Sequence, residues 1–171
     1  MKIVVNDANI LIDLVELKIL HWFFKLEFEF HTTIFILDEL FVEQKEALLP
    51  YIETGSLIVD DITEEDLIEI LKIRNTKPSL SEQDCSAFYK AQKHSAILIT
   101  SDNTLRKFAQ ENNVEVHGHL WVFDNLVNNK ILMGITAIEK LKELCNVINP
   151  KLGLPNGECL KRINLWSKSS S

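Results

Sequence analysis

Short apolar runs, each closed by a polar or acidic residue and followed by residues at helical spacing, recur along the chain. Lys2 to Asn6 is rich in valine and isoleucine and stops at Asp7, after which Ile10, Leu11, Leu14, Val15, Leu17 and Leu20 repeat with the period of an amphipathic helix. Phe23 to Thr33 is heavily aromatic and reads as the end of a helix running into a strand. The run Thr33 to Leu37 (TIFIL) reads as a second buried strand, with Asp38-Glu39 opening the next helix. Leu57 to Val59 predicts a third strand, and Thr63-Glu64-Glu65-Asp66 an acidic first helical turn suited to the positive end of the helix dipole, in a helix that ends near Asn75. Ser81-Glu82-Gln83-Asp84 has the form of a capping box at the head of a helix with Ala87, Phe88 and Ala91 on its apolar side. Ala96 to Thr100 (AILIT) is the clearest buried strand, and Ser101-Asp102-Asn103 open a helix over 104–112. A short fifth strand at 114–116, helices over 119–127 and 135–147, and one or two helical turns between Glu158 and Trp166 complete the pattern.

Strands alternating with helices predict βαβ units, hence an α/β fold in three α/β/α layers with a central, mostly parallel sheet covered on both faces. At 171 residues the chain fits one domain with a short appendage, and the breaks at Pro150, Gly153, Pro155 and Gly157 put the boundary near 148: a domain over 1–148 and a C-terminal extension over 149–171. Hydrophobic residues make up 46% of the chain and are spread along it, which confines expected disorder to Ser169, Ser170 and Ser171. The longest apolar runs fall far short of the roughly 20 residues that span a bilayer. With no basic, apolar leader at the N-terminus, a cytoplasmic protein without a membrane partner is expected. Cys85, Cys145 and Cys159 are odd in number and lack C-x-x-C spacing, which argues against a disulfide framework or zinc cluster.

The net charge of −7 speaks against broad electrostatic attraction to nucleic acid, although carboxylates that hold divalent ions are counted in that sum as bare charge. In an open parallel sheet the ligand crevice lies beyond the carboxyl ends of the strands. Asp7, Asp38 or Glu39, and Asp102 fall at that edge, and Asp84 joins them if its helix runs antiparallel to the strands. Taken singly, each acid is explained as a helix cap or dipole partner, Asp84 above all. Gathered in one crevice, the same acids would repel one another without a cation, and an oxygen-only donor set suits Mg²⁺ or Mn²⁺.

As a set, VVNDANILIDL, TIFILDEL, LSEQDCSAFYKA and ILITSDNTLRKFA occur in an order that resembles the PIN-domain family and span most of residues 1–127. The resemblance implies a metal-dependent ribonuclease that hydrolyses the phosphodiester bonds of single-stranded RNA, with Asp7, Glu39, Asp84 and Asp102 as metal ligands and catalytic acids. It also implies a toxin–antitoxin setting, with an antitoxin protein as partner. A homodimer is a further expectation drawn from Trp22, Phe23, Phe24, Phe28 and Phe30, which crowd one stretch: core packing takes some, and an exposed remainder marks a dimer or partner surface. Asn9 and Thr100 match polar positions that support the first and last acids, with Ser101 and Asn103 beside them. Some members carry another acid where this chain has Asn103. Lys90, Lys93, Arg106 and Lys107 lie on the helices opened by Asp84 and Asp102, either against substrate phosphates or on a solvated face.

The competing reading is a PIN-like module that has lost catalysis and acts by binding RNA or a protein. A phosphoacceptor domain lacks its lysine after AILIT, and a haloacid-dehalogenase-like phosphatase would need Asp where Asn9 stands. His117-Gly118-His119 and Lys93-His94 read as structural or surface features, and Cys85 as a buried thiol.

Overall fold

The most apolar strands lie at the centre of the sheet. The computed structural model describes residues 1–168, so the expected disorder at Ser169 to Ser171 falls outside the described residues. Strands β1 (Ile3–Asn6), β2 (Glu29–Thr33), β3 (Leu57–Asp60), β4 (Ile97–Ile99) and β5 (Val116–His117) form one sheet in the order β3-β2-β1-β4-β5. Each of the four pairings is parallel. Val4, Val5, Leu98 and Ile99 in the two central strands are fully buried, as expected for a parallel sheet covered on both faces.

The helices are α1 (Ala8–Glu16), α2 (Leu20–Phe23), α3 (Ile34–Glu39), α4 (Val42–Glu53), α5 (Glu64–Thr76), α6 (Glu82–Lys93), α7 (Asn103–Glu111), α8 (His119–Asn128), α9 (Gly134–Glu143) and α10 (Asn156–Lys168), with a π-helical turn, Leu144–Ile148, after α9. The architecture is the expected three-layer α/β/α. Among the described residues, no helix is long and apolar enough to cross a membrane.

One expected strand is a helix. Thr33 ends β2, and its hydroxyl accepts a hydrogen bond from the backbone N–H of Ile36 (3.2 Å), capping α3, so the TIFIL run coils directly after its threonine. A short apolar run fits a buried strand or a buried helix turn equally well, and here the capping threonine decides. The strand lies earlier, in EFHTT, where three buried polar side chains find partners: His31 with Asp60 and Glu29, Thr32 with the Asn6 carbonyl, and Thr33 with Ser86. Asp38 and Glu39 therefore end a helix instead of opening one.

Two compact units divide the chain, one of Met1–Ile12 with Glu27–Gly118, the other of Asp13–Leu26 with the chain from His119 onward. The first contains the whole sheet, with α6 laid against β1, β2 and β4, and α5 packed on α6. Asp66 of α5 is 1% exposed and ties these two helices together through Tyr89, Lys90 and Lys93.

In the second unit α9 packs with α8 and α10. The final helix is longer than the expected turn or two. Trp166 is buried with its ring centroid 5.9 Å from that of Phe123, and Arg162 grips Asp124 of α8 at 2.9–3.1 Å. His119 and Asp13 form a buried pair (2.8 Å), while His117 bonds Glu115 (2.9 Å).

Candidate active site

The strand order reverses at β1. The chain moves from β1 to β2 and β3 on one side and returns to β4 and β5 on the other, so the β1/β4 boundary is the topological switch point, where open α/β sheets form their ligand crevice. Asp7 follows β1 directly and Asp102 lies three residues past β4, which puts the first and last expected acids on the two sides of that crevice.

Asp7 is held rigidly. Its backbone N–H donates to the Ile99 carbonyl (3.0 Å), extending the β1/β4 ladder by one step. Its Oδ1 accepts from the Ala8 N–H (2.8 Å) and its Oδ2 from the Thr100 hydroxyl (2.7 Å). The Thr100 oxygen in turn accepts from the Asp102 N–H (3.1 Å), so one buried threonine positions both acids. Asp102 caps α7 by accepting from the Leu105 N–H through Oδ1 (2.7 Å), and among the described residues its Oδ2 has no hydrogen-bond partner.

Asp84 occupies the first turn of α6. A reciprocal capping box fixes it, with Asp84 Oδ2 accepting from the Ser81 N–H and the Ser81 hydroxyl from the Asp84 N–H, both at 3.0 Å. The cap and the candidate ligand are thus one residue, with Oδ1 uncommitted. Glu39, the last residue of α3, is exposed, and among the described residues its side chain has no hydrogen-bond partner.

Asp7, Asp84 and Glu39 each register a neighbouring acid. Burial pushes the Asp7 carboxyl up to about 6 against the stabilising Thr100 and Ala8 hydrogen bonds, and the charges of Asp84 and Asp102 add to the rise. Burial raises Asp84, and Asp102 adds to it. Glu39 is raised by burial and by Asp84, which makes it the outer member of the group. Among the described residues no lysine, arginine or histidine lies within 4.0 Å of any of the four carboxylates. Unbalanced carboxylates around a buried one, with oxygens left over, fit a hard divalent cation: the donor set is oxygen only.

Of the supporting residues, Thr100 is the one hydrogen-bonded to the acids. Asn9 and Asn103 are exposed, and Ser101 is half-buried without a side-chain hydrogen bond. The expected phosphate-facing cations separate into two pairs. Lys90 is buried (6% exposed) and bonded to Asp66 (2.9 Å), so it lies neither at the crevice nor on a solvated face, and Lys93 shares the same carboxylate (3.0 Å). Arg106 donates to the Thr100 carbonyl (3.1 Å), and bare Gly118 makes room for it, since a Cβ there would stand 2.6 Å from the guanidinium Nη2. Lys107 is exposed and lines a groove of about 340 Å³ with Lys77, Asn103 and Thr104, starting one residue from Asp102.

Cys85, beside Asp84, is fully buried, and burial pushes its thiol up to about 11, leaving it protonated and inert near neutrality. Among the described residues no three of Asp7, Glu39, Asp84 and Asp102 bring ligand atoms within 4.8 Å of one another. A cluster that does so, at His31, Asp60 and His94, was not visible in the sequence. The three ligand atoms lie within 4.8 Å of one another. His94 sits half-buried within it.

A family model described as a PIN domain matches residues 3–152. No curated protein matches the chain.

Proposed function

The chain belongs to the PIN-domain family, whose members are generally nucleases, and from that premise we propose that it is a Mg²⁺- or Mn²⁺-dependent ribonuclease that cuts single-stranded RNA. The observation that carries this reading is Asp7: a carboxylate raised by burial, with the charges of Asp84 and Asp102 adding to the rise, and matched by no cation among the described residues. A charge so placed is costly unless a cation is part of the working site.

Asp7 and Asp102 are the central ligands, with Asp84 and Glu39 completing the oxygen set or orienting water. The bound ion supplies a water of lowered pKa and neutralises charge on the leaving oxygen. The protein supplies preorganisation. Thr100 and the Ala8 N–H lock both Asp7 oxygens, the α7 cap locks Asp102 and the capping box locks Asp84, so little reorganisation is left for the reaction itself. Lys107 and Lys77 give the RNA backbone two cations along the groove beside Asp102, with Arg106 behind Thr100. Residues 1–148 are the nuclease domain in this reading and 149–171 an extension. The role of toxin with an antitoxin partner belongs to the same proposal, supported by the family role of small stand-alone members, and a cytoplasmic location and a homodimer go with it as expectations of the sequence.

Labelled single-stranded RNA and a DNA strand of the same sequence, incubated with protein and Mn²⁺, test the claim. RNA should be cut, EDTA should stop the cutting, and Asp102→Asn should remove it. Cleavage that survives EDTA or Asp102→Asn would overturn the assignment, and cleavage of DNA alone would overturn the substrate. If neither strand is cut and saturating Mn²⁺ leaves the melting temperature unchanged, the non-catalytic binding module is the better reading, because a ligand held only by the folded state at 100 times its Kd adds roughly 2.7 kcal/mol.

Thr100→Val probes the shared support. It removes the hydroxyl that serves Asp7 and Asp102 while keeping the side-chain shape, and should weaken Mn²⁺ affinity or activity by about 10–100-fold, the usual effect of losing a ligand's hydrogen-bond partner. Calorimetric Mn²⁺ titration beside the cleavage assay measures it. Values within twofold of the parent protein would show that Thr100 does not position the acids.

A further inference from the structure

On the α6 side of the sheet, two imidazoles converge on one carboxylate. His31 of β2 places Nδ1 at 2.9 and 3.0 Å from the two oxygens of Asp60, at the end of β3. His94, the C-cap of α6, brings Nε2 to 3.8 Å from Asp60 Oδ2, with its ring centroid 5.5 Å from that of His31. We propose that His31, Asp60 and His94 form a site for a borderline divalent transition metal, Zn²⁺ in chemical class, that pins the end of α6 to β2 and β3.

Geometry and donor chemistry both point this way. In a tetrahedral zinc shell with bonds near 2.0–2.1 Å, neighbouring ligand atoms are separated by about 3.3 Å. The separations to Asp60 here bracket that value, and all three ligand atoms lie within 4.8 Å of one another, so small side-chain rotations close the shell. The far nitrogen of His31 is already committed, with Nε2 2.7 Å from Glu29 Oε1. A carboxylate on the outer nitrogen is the usual way a metal-bound histidine is held in one tautomer and orientation, here with Nδ1 facing inward. His94 and Asp60 are 30% and 13% exposed at the side chain, which leaves an approach for the ion and room for water as a fourth ligand. Two imidazoles with one carboxylate select zinc, cobalt or nickel over the hard Mg²⁺ and Mn²⁺ that suit the oxygen-only crevice, so the chain sorts two kinds of metal into two places.

A simple ion-pair network accounts for less of this arrangement. His31 with Glu29 and Asp60 is complete as a charged triad, yet it gives no reason for a second imidazole to approach the same Asp60 carboxylate. Each ligand comes from a different element, so one ion would cross-link β2, β3 and the helix whose other end carries Asp84.

The test uses the full chain, stripped with EDTA and titrated with ZnCl₂ by calorimetry and thermal melting, and with CoCl₂ by visible absorption. Controls are an Asp7→Asn/Asp102→Asn variant, which disables the acidic crevice, and His94→Ala, which alters a half-exposed residue at a helix end and should melt like the parent in EDTA. The acidic-crevice variant should still bind one equivalent of Zn²⁺, show the absorption of tetrahedral Co²⁺ and melt at a higher temperature with Zn²⁺, while Mg²⁺ does none of this. His94→Ala should weaken Zn²⁺ binding at least about tenfold, and Asp60→Asn should do the same. Zn²⁺ affinity within twofold of the parent in His94→Ala, or Zn²⁺ binding lost from the acidic-crevice variant, would overturn the site.

Discussion

Asp7→Asn should abolish cleavage and, in EDTA at pH 8, make the protein more stable than its parent. The Asp7 carboxyl is 2% exposed and raised to about 6, against an unfolded value near 3.8. Between those pH values the folded state holds a proton that the unfolded chain has released, so stability falls as pH rises from about 4 to about 6 and stays lowered above. At about 1.4 kcal/mol per pH unit, the buried charge costs roughly 3 kcal/mol once fully ionised. An asparagine keeps an oxygen for the Ala8 N–H and an amide group for Thr100, so the gain should be roughly 1–3 kcal/mol, or several degrees in melting temperature for a chain of this size. Below pH 4 the two proteins should melt alike. Saturating Mn²⁺ should narrow or reverse the difference, since the parent alone keeps the full ligand set. Melting curves from pH 3.5 to 8, with EDTA and with Mn²⁺, measure all of this. An Asp7→Asn protein less stable than the parent at pH 8 in EDTA would mean that Asp7 is a structural acid and not a strained ligand.

Strand topology explains which parts of the candidate site were legible in sequence. Asp7 and Asp102 were, because each follows a run whose only sensible fate is a buried parallel strand, and parallel topology then fixes which edge the next residue reaches. Asp84 was legible in position but ambiguous in role: the structure shows the cap, made through Oδ2, and the ligand role belongs to the proposal. Glu39 reached the right neighbourhood through the wrong local structure. TIFIL reads as strand, whereas Thr33 caps a six-residue helix that carries Glu39 to the vicinity of Asp84 at its far end. The last helix was underestimated because Pro155 and Gly157 read as breakers, although a proline just ahead of a helix is compatible with its start.

Other features had no local signature at all. His31, Asp60 and His94 are 29 and 34 residues apart along the chain, and only the β2/β3 register together with the crossing of α6 brings them into one place. Lys90 looked like a solvent-facing helix residue because nothing near it in sequence announces Asp66, which lies 24 positions earlier on a helix that packs against its own. Helical and strand periodicity report which face of an element is buried. They do not report which polar residues on that face meet a partner from elsewhere.

The largest loss of stability is expected from Asp66→Ala. This carboxylate accepts hydrogen bonds from Lys90 Nζ (2.9 Å), Lys93 Nζ (3.0 Å), the Tyr89 hydroxyl (2.8 Å) and the Thr63 N–H (3.2 Å), the last as half of the α5 capping box. Burial alone would raise its pKa, but the bonds from Lys90, Lys93 and Tyr89 outweigh it and hold the group well below the usual carboxylate range. The sign is therefore opposite to that of Asp7: its contribution is fully present above about pH 4, the unfolded value, and drains away as acid protonates the folded carboxylate. Removing the side chain leaves the Lys90 ammonium buried without a counter-charge, a change that typically costs about 3–5 kcal/mol. Against a total of about 5–15 kcal/mol for a domain, this approaches unfolding at moderate temperature. Urea titration at pH 7 should show the midpoint falling sharply, and Lys90→Met in the Asp66→Ala background should restore much of the loss, because the stranded charge goes while the packed stem of the lysine is replaced in kind. A loss below about 1 kcal/mol for Asp66→Ala, or no recovery in the double variant, would show that the stranded ammonium is not what the structure must avoid.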